Sequence, residues 1–395
     1  MRPRVAVTAL GVACAVGNDA RETWESLLAG RDGVVPVEGF DASRHRTHVA
    51  AHSPLMKGQD SHEQLVVTPF QEAWAASGRG VARAAVAERT GLALGILGGE
   101  ALAFEKGMLA EPGRRRAGLT RETVTWLPPD RTSNTFARRY GIGGPVATLA
   151  NACSAGNHAI ATGCEWIRSD AADVVVAGGF GHVGFTSFTH FDNLRALSPD
   201  VCRPFDRNRR GLVMGDGAAW LVLEELEHAR RRAAPILAEV LGYGLSCDAH
   251  HVAAPHPEGR GAVAAMREAL RDAGLDADEI DYVSAHGTAT RANDPVEAAA
   301  LHRVFGERAA RLPCSSIKSM IGHTMGAASA IEAFVCCMAI QHDVVPPTIH
   351  HEEPDPGCEI DCVPNEAREL EVRHALNNSF AFGGNNCSVV FGAAQ

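Results

Sequence analysis

The sequence predicts an α/β protein built on a mostly parallel sheet with helices on both faces. Three observations carry that expectation. Short β-branched runs alternate with Ala/Leu/Glu/Arg-rich stretches of helical period, the alternation that produces βαβ units. The whole pattern occurs twice along the chain. A length of 395 residues exceeds one ordinary domain, so two similar halves are the simplest partition.

In chain order, "RVAVTAL" reads as a first strand and turn rather than an export signal, because Thr8 and Gly11 interrupt its apolar run. "DARETWESLLAG" follows with helical spacing. "LALGILGG", "PVATLA" and "DVVVAGG" are further strands, "SAGNHAIATGCEWIRS" is helical, and "RRGLVMGDGAAWLVLEELEHARRR" mixes both. The second half runs through "PILAEVLGYGLS" (strand), "GRGAVAAMREALRDAGL" (helix), "IDYVSAHGTAT" (strand into loop) and "DPVEAAALHRVFG" (helix). "ARLPCSSIKSMIGHTMGAASAIEAFVCCMAI" then moves from strand through loop to a long helix, and "NNSFAFGGNNCSVVFGA" closes the chain. "PPTIHHEEPDPGCEIDCVPNEA" reads as an ordered surface loop. The Arg-rich "EHARRRAAP" separates the halves, giving 1–234 and 235–395. The repeat is one of topology; no strong residue-level self-similarity accompanies it.

Composition narrows the class of function. Hydrophobic residues make up 46% and charged ones 21%, as in a globular chain. No stretch approaches the ~18 uninterrupted apolar residues of a membrane helix. A net charge of −10 argues against nucleic acid as partner. Eleven cysteines without a C-x-x-C pair point to reduced thiols and a cytoplasmic setting. Basic residues are almost all arginine; the lysines are Lys57, Lys106 and Lys318.

Chemistry gathers in four stretches. In "VATLANACSAGNHAIATG" an apolar run ends at Cys153 among Ala, Ser and Gly before the pattern turns helical. At a helix N-terminus, backbone N–H groups and the macrodipole would lower the thiol pKa and favour a nucleophilic thiolate. Small neighbours would let the turn be tight and a large substrate approach. The alternative is a buried cysteine at an Ala/Gly-rich helix start. His286 in "SAHGTAT" and His323 in "SIKSMIGHTMGAASAIEA" each follow a strand beside Gly and Thr, where α/β sites form; a satisfied structural histidine is the alternative for each. Lys318, five residues before His323, is either a specific electrostatic device or a surface lysine. In "NNSFAFGGNNCSVVF", glycines after Phe382 let backbone N–H groups approach a ligand and the ring close over it. Core packing accounts for Phe380.

These blocks resemble the β-ketoacyl-[acyl-carrier-protein] synthases of the thiolase-like superfamily. "GVACAVGNDARETWESLLAGRDGV", "NACSAGNHAIATG", "RALSPDVCRPFDRNRRGLVMGDGAA", "HGTATRANDPVEA", "SIKSMIGHTMGAASAIEA" and "NSFAFGGNN" stand in the family's order across the chain. The resemblance implies duplicated βαβαβαββ halves in a five-layered αβαβα sandwich, with the cysteine in the first half and both histidines in the second. It implies a Cys153–His286–His323 set supported by Lys318, with Phe382 as gate. Thr288 and Thr290 would meet the phosphopantetheine arm of an acyl carrier protein; Phe191, Phe104 and Met108 would line an acyl pocket. Decarboxylative condensation follows, with no cofactor or metal, as does a homodimer or a heterodimer with a chain-length-factor-like subunit. Glu332 reads as a structural partner for Lys318 or a loop N–H rather than a proton donor.

The chain also departs from the family pattern. Arg210 replaces a usual acid, Asp216 a usual glutamate, and Ala253 and Ala254 stand where hydroxyls often line the carrier-arm tunnel. Such departures favour a polyketide enzyme over housekeeping fatty-acid elongation. A non-catalytic chain-length subunit is disfavoured because Cys153 is present. Thiolases and priming synthases would use Cys-His-Cys or Cys-His-Asn sets. His45, His48 and His52 have ligand-like spacing, yet surface or packing roles suit them better. Among the arginine runs, Arg207, Arg209 and Arg210 are the favoured docking patch for an acidic carrier.

Overall fold

The computed structural model describes residues 2–57, 61–78, 87–97 and 130–394. Ten strands form the main sheet: β1 (Val5–Cys14), β2 (Thr90–Gly95), β3 (Val146–Leu149), β4 (Val174–Gly181), β5 (Gly217–Glu225), β6 (Ala238–Cys247), β7 (Tyr282–Ser284), β8 (Cys314–Ser315), β9 (His374–Phe380) and β10 (Asn385–Gly392). Helices α1 (Ala20–Leu28), α2 (Ser61–Ala76), α3 (Arg131–Tyr140), α4 (Ala155–Arg168), α5 (Phe185–Asn193) and α6 (Leu226–Arg231) belong to the first half. The second contributes α7 (Arg260–Ala273), α8 (Asn293–Phe305), the single turn α9 (Lys318–Ile321) and α10 (Ala328–His342).

Strand order across the sheet is β8-β7-β9-β10-β6-β1-β5-β4-β2-β3. Numbered within each half, both sets of five strands run 3-2-4-5-1 from the outer edge, with the same parallel and antiparallel partners. They meet antiparallel over three residue pairs, Val5↔Val240, Ala6↔Glu239 and Val7↔Ala238.

The expectation of a mostly parallel sheet is corrected. Only β2·β3, β2·β4, β7·β8 and β7·β9 pair in parallel; the other neighbours are antiparallel. Strands β9 and β10 are joined by a tight turn, and β1 lies against the last strand of its half. Neither contact is a helical crossover, which parallel neighbours need.

Helices α4 and α10 lie between the halves, each touching strands of both. Every position of β1 is buried, as expected of a strand covered on both faces. The central core joins Ile160 of α4 and Phe334 of α10 to Val7, Leu221 and Phe391. Helix α10 is mostly apolar, with Ser329 and Glu332 among its buried positions; with the turn before it, it has the length and composition of a membrane span, but it is buried inside the protein. On the outer face of the first half α2 packs on β1 and β5, where Phe70 meets Trp74, Phe136 and Trp220 at ring distances of 4.7–5.9 Å. Each such aromatic pair adds about 0.5–1.5 kcal/mol beyond its buried area. On the other outer face α7 covers β6 and β10, and α8 packs on α7. The layers are therefore α/β/α/β/α.

Candidate active site

Strand β3 leads into the elbow that presents the candidate thiol. Ala152 takes a left-handed conformation (φ 52°), which costs a residue with a Cβ about 1–2 kcal/mol. Bonds from the second half hold the turn: the Ser379 hydroxyl donates to the Cys153 carbonyl at 3.0 Å, and the Ser154 hydroxyl donates to the Asn385 carbonyl at 2.9 Å. The small residues after Cys153 serve helix packing rather than ligand approach. A Cβ on Gly156 would lie 2.6 Å from the backbone nitrogen of Ala330 in α10, so only glycine permits that crossing.

Cys153 is 4% exposed. Burial pushes its thiol up to about 11, against the Lys318 charge and the backbone N–H groups of Phe382 and of Cys153 itself, which hydrogen-bond the sulfur and pull the other way. The lowered pKa expected from the helix start is thereby corrected: removal from water outweighs the stabilising dipoles. The resting group is a neutral thiol.

The second half supplies the two imidazoles. His286 follows β7, and its backbone N–H donates to Glu297 at 2.7 Å while that of Gly287 donates to the other carboxylate oxygen at 2.8 Å. Glu297 is fully buried, and burial pushes it up to about 7 despite those donors. His323 follows β8 and α9; its Nδ1 accepts the Met325 N–H at 3.2 Å. A neutral ring with an accepting Nδ1 carries its proton on Nε2. The rings stand 5.6 Å apart at 83°. Burial, followed by the Lys318 charge, holds both well below the usual histidine range, and His323 depresses His286 further. Both are neutral near pH 7.

Cys153, His286, His323, Phe382 and Phe191 share one cavity of about 420 Å³, which Thr288 and Thr290 also line. The two threonine hydroxyls are 3.0 Å apart. Phe382 sits in the turn between β9 and β10, where Gly383 and Gly384 adopt positive φ of 78° and 73°; its ring stacks on Phe191 at 5.5 Å. Phe380 is buried as expected, but it also lines the cavity, with its ring 6.0 Å from that of His286. Lys318 does not line the cavity. It is buried and ion-paired with Glu332, the partnership read from the sequence, and acts on the sulfur and both rings through its charge. Burial pushes Glu332 up to about 7 in spite of that neighbour. Phe104 and Met108 lie outside the described residues.

The favoured arginine patch does not hold together. Arg209 is buried, bonded to Asp355 and to the Asp206 carbonyl. Arg207 is exposed but engaged by Glu353 at 2.7 Å, and Arg210 pairs with Asp200. His45 and His52 part company: His45 meets Thr189 and the rings of Phe40, Phe185 and Phe188, whereas His52 binds buried Asp216 at 2.9 Å. Sequence reading missed Glu297 and its neighbour Asp294, which accepts the Phe205 N–H at 2.8 Å. Two acids three apart within an Ala-rich helix were the available signal.

A duplicated α/β sandwich with a thiol at a strand–helix elbow facing two neutral imidazoles defines a thiolase-like enzyme. The models "Beta-ketoacyl synthase, N-terminal domain" and "Beta-ketoacyl synthase, C-terminal domain" match residues 2–229 and 237–352. The chain belongs to the β-ketoacyl synthase family and is an acyltransferase of the ketosynthase type. It is 38% identical to 3-oxoacyl-[acyl-carrier-protein] synthase 2 of Coxiella burnetii, over 98% of both chains. Among solved structures it is similar to the ishigamide ketosynthase/chain length factor (37% identity, TM-score 0.91). It is also similar to a ketosynthase solved with its type II PKS acyl-carrier protein and bound to the hexaketide (29% identity, TM-score 0.94). Both comparisons cover 100% of each chain.

Proposed function

We propose that the protein condenses malonyl-[acyl-carrier-protein] with an acyl group held on Cys153, in type II polyketide synthesis. The observation that carries this reading is the convergence of Cys153, His286 and His323 on one cavity open to the surface. In the first step the sulfur attacks the thioester of an acyl carrier protein and the thiol proton leaves with the departing carrier thiol. The N–H groups of Cys153 and Phe382, already directed at the sulfur, take the negative charge that develops on the acyl oxygen. Malonyl thioester then loses carbon dioxide. The electron pair of the broken C–C bond becomes an enolate, which attacks the acyl-cysteine and expels the sulfur. His323 Nε2–H donates to the enolate oxygen, with His286 beside it. Phe382, stacked on Phe191, gates the pocket. Decarboxylation supplies the carbanion, so the chemistry requires neither metal nor redox cofactor.

The polyketide assignment rests on Arg210, Asp216, Ala253 and Ala254, which depart from the family pattern, and on the type II PKS relative. Fatty-acid elongation is the second reading, favoured by likeness to the Coxiella burnetii enzyme. The structural relatives support an acyl carrier protein as substrate donor and a dimer, with a second copy or with a chain-length-factor-like subunit. Eleven free cysteines support a cytoplasmic location. Intact-protein mass after incubation with a panel of acyl-carrier thioesters tests the reading. One acyl adduct is expected on the native chain and none on Cys153→Ala; an adduct on that variant would overturn it. Elongation by malonyl carrier to polyketone rather than to a singly extended ketoacyl product separates the two pathways.

A further inference from the structure

The cavity that holds Cys153 is bordered at its exposed end by three arginines, Arg195, Arg210 and Arg291. This is a local reversal of sign in a chain of net charge −10. Arg210 is neutralised by Asp200. The side chains of Arg195 and Arg291 have no ion pair or hydrogen bond among the described residues. The acid of the cavity wall, Asp248, is already committed: one oxygen accepts from Asn386 at 2.8 Å and the other from the His256 N–H at 2.9 Å. The wall formed by Ala253 and Ala254 offers no side-chain hydrogen bond to a polar arm. Two guanidiniums with no partner among the described residues, at the exposed end of a cavity whose acid is already engaged, suit an anion with several oxygens.

We infer that Arg195 and Arg291 form an anion subsite that takes the phosphate at the outer end of a phosphopantetheine arm. The inference rests on the proposed function, which brings a thioester to Cys153. A pantetheine arm carries its sulfur at one end and its phosphate at the other, so a thioester at the floor leaves the phosphate at the mouth. Arm recognition thereby gains a charged contact at the rim, beyond the Thr288 and Thr290 hydroxyls of the wall. The phosphate then binds by charge-assisted bonds, and binding weakens as salt screens it.

Acylation of Cys153 by hexanoyl-phosphopantetheine and by hexanoyl-pantetheine, which lacks the phosphate, tests the subsite without any carrier protein. The native protein is expected to show a KM roughly tenfold lower for the phosphorylated thioester, with kcat the same for both. In the Arg195→Ala/Arg291→Ala protein the two KM values converge, whereas Arg291→Lys keeps most of the difference. Equal KM values on the native protein, or a difference that survives in the double variant, would overturn the subsite. So would a double variant that weakens acylation only from the intact carrier protein, since the arginines would then be reading acidic side chains. If neither thioester acylates the native chain, the proposed function itself fails. That outcome is distinct from a chain that acylates without regard to phosphate.

Discussion

The two halves of the molecule share one strand order and differ in what they hang on it. In the first half the third strand, β3, leads to Cys153 and then into α4; in the second the third strand, β8, leads to Lys318, His323 and then α10. The sulfur and one imidazole thus occupy equivalent places in a duplicated frame, brought face to face because α4 and α10 pack together in the middle layer. The halves diverge most between their fourth and fifth strands. There the first half inserts residues 182–216, which carry Phe191, Arg195 and Arg210, while the second makes the short turn that holds Phe382. Duplication gives a scaffold with two prepared elbows, and the unequal connections shape the cavity between them.

That comparison can be broken in three ways. Removing the second elbow's imidazole with His323→Ala should leave acylation of Cys153 intact while condensation falls roughly 100- to 1,000-fold, as for loss of one oxyanion donor. Single-turnover assays of each step measure the split; equal loss in both would deny the halves separate tasks. Next, Gly156→Leu should lower unfolding free energy by about 1–3 kcal/mol or more, because its side chain enters the backbone of α10. Denaturant titration reads that cost, and an unchanged midpoint would mean the helices can part freely. The smallest effect is in pH. Burial raises the thiol of one half and lowers the imidazoles of the other, so all three are neutral. The rate of Cys153 alkylation by iodoacetamide should therefore keep climbing about tenfold per pH unit through pH 9; a plateau near 8 would deny the raised thiol. For the histidines the sign is opposite. The unfolded chain takes up their protons first, so their contribution to stability is complete above about pH 6.5 and lost as pH falls below it.

Much of this was legible in the residues. Alternation of β-branched and helical stretches gave the class and nearly all elements, and motif order brought Cys153, His286, His323 and Phe382 to one place. Strand direction was not legible, since periodicity says nothing of which way a neighbour runs. Thiol acidity was misjudged because a helix start is visible in sequence and the depth of its burial is not. Arg209 reads in sequence as part of a carrier-docking patch; its acidic partner, Asp355, lies 146 residues away. Glu297 was passed over for the same reason: its bonds run to the backbone of residues 10 and 11 positions earlier.

The interleaved middle layer has a consequence for dividing the chain. Each central helix leans on strands of the other half, so a cut in the connection at 232–236 would leave both fragments with naked apolar flanks. Neither piece should stay dispersed by itself. Made together, they would be expected to reassemble into an active whole, each acting as the template on which the other completes its folding.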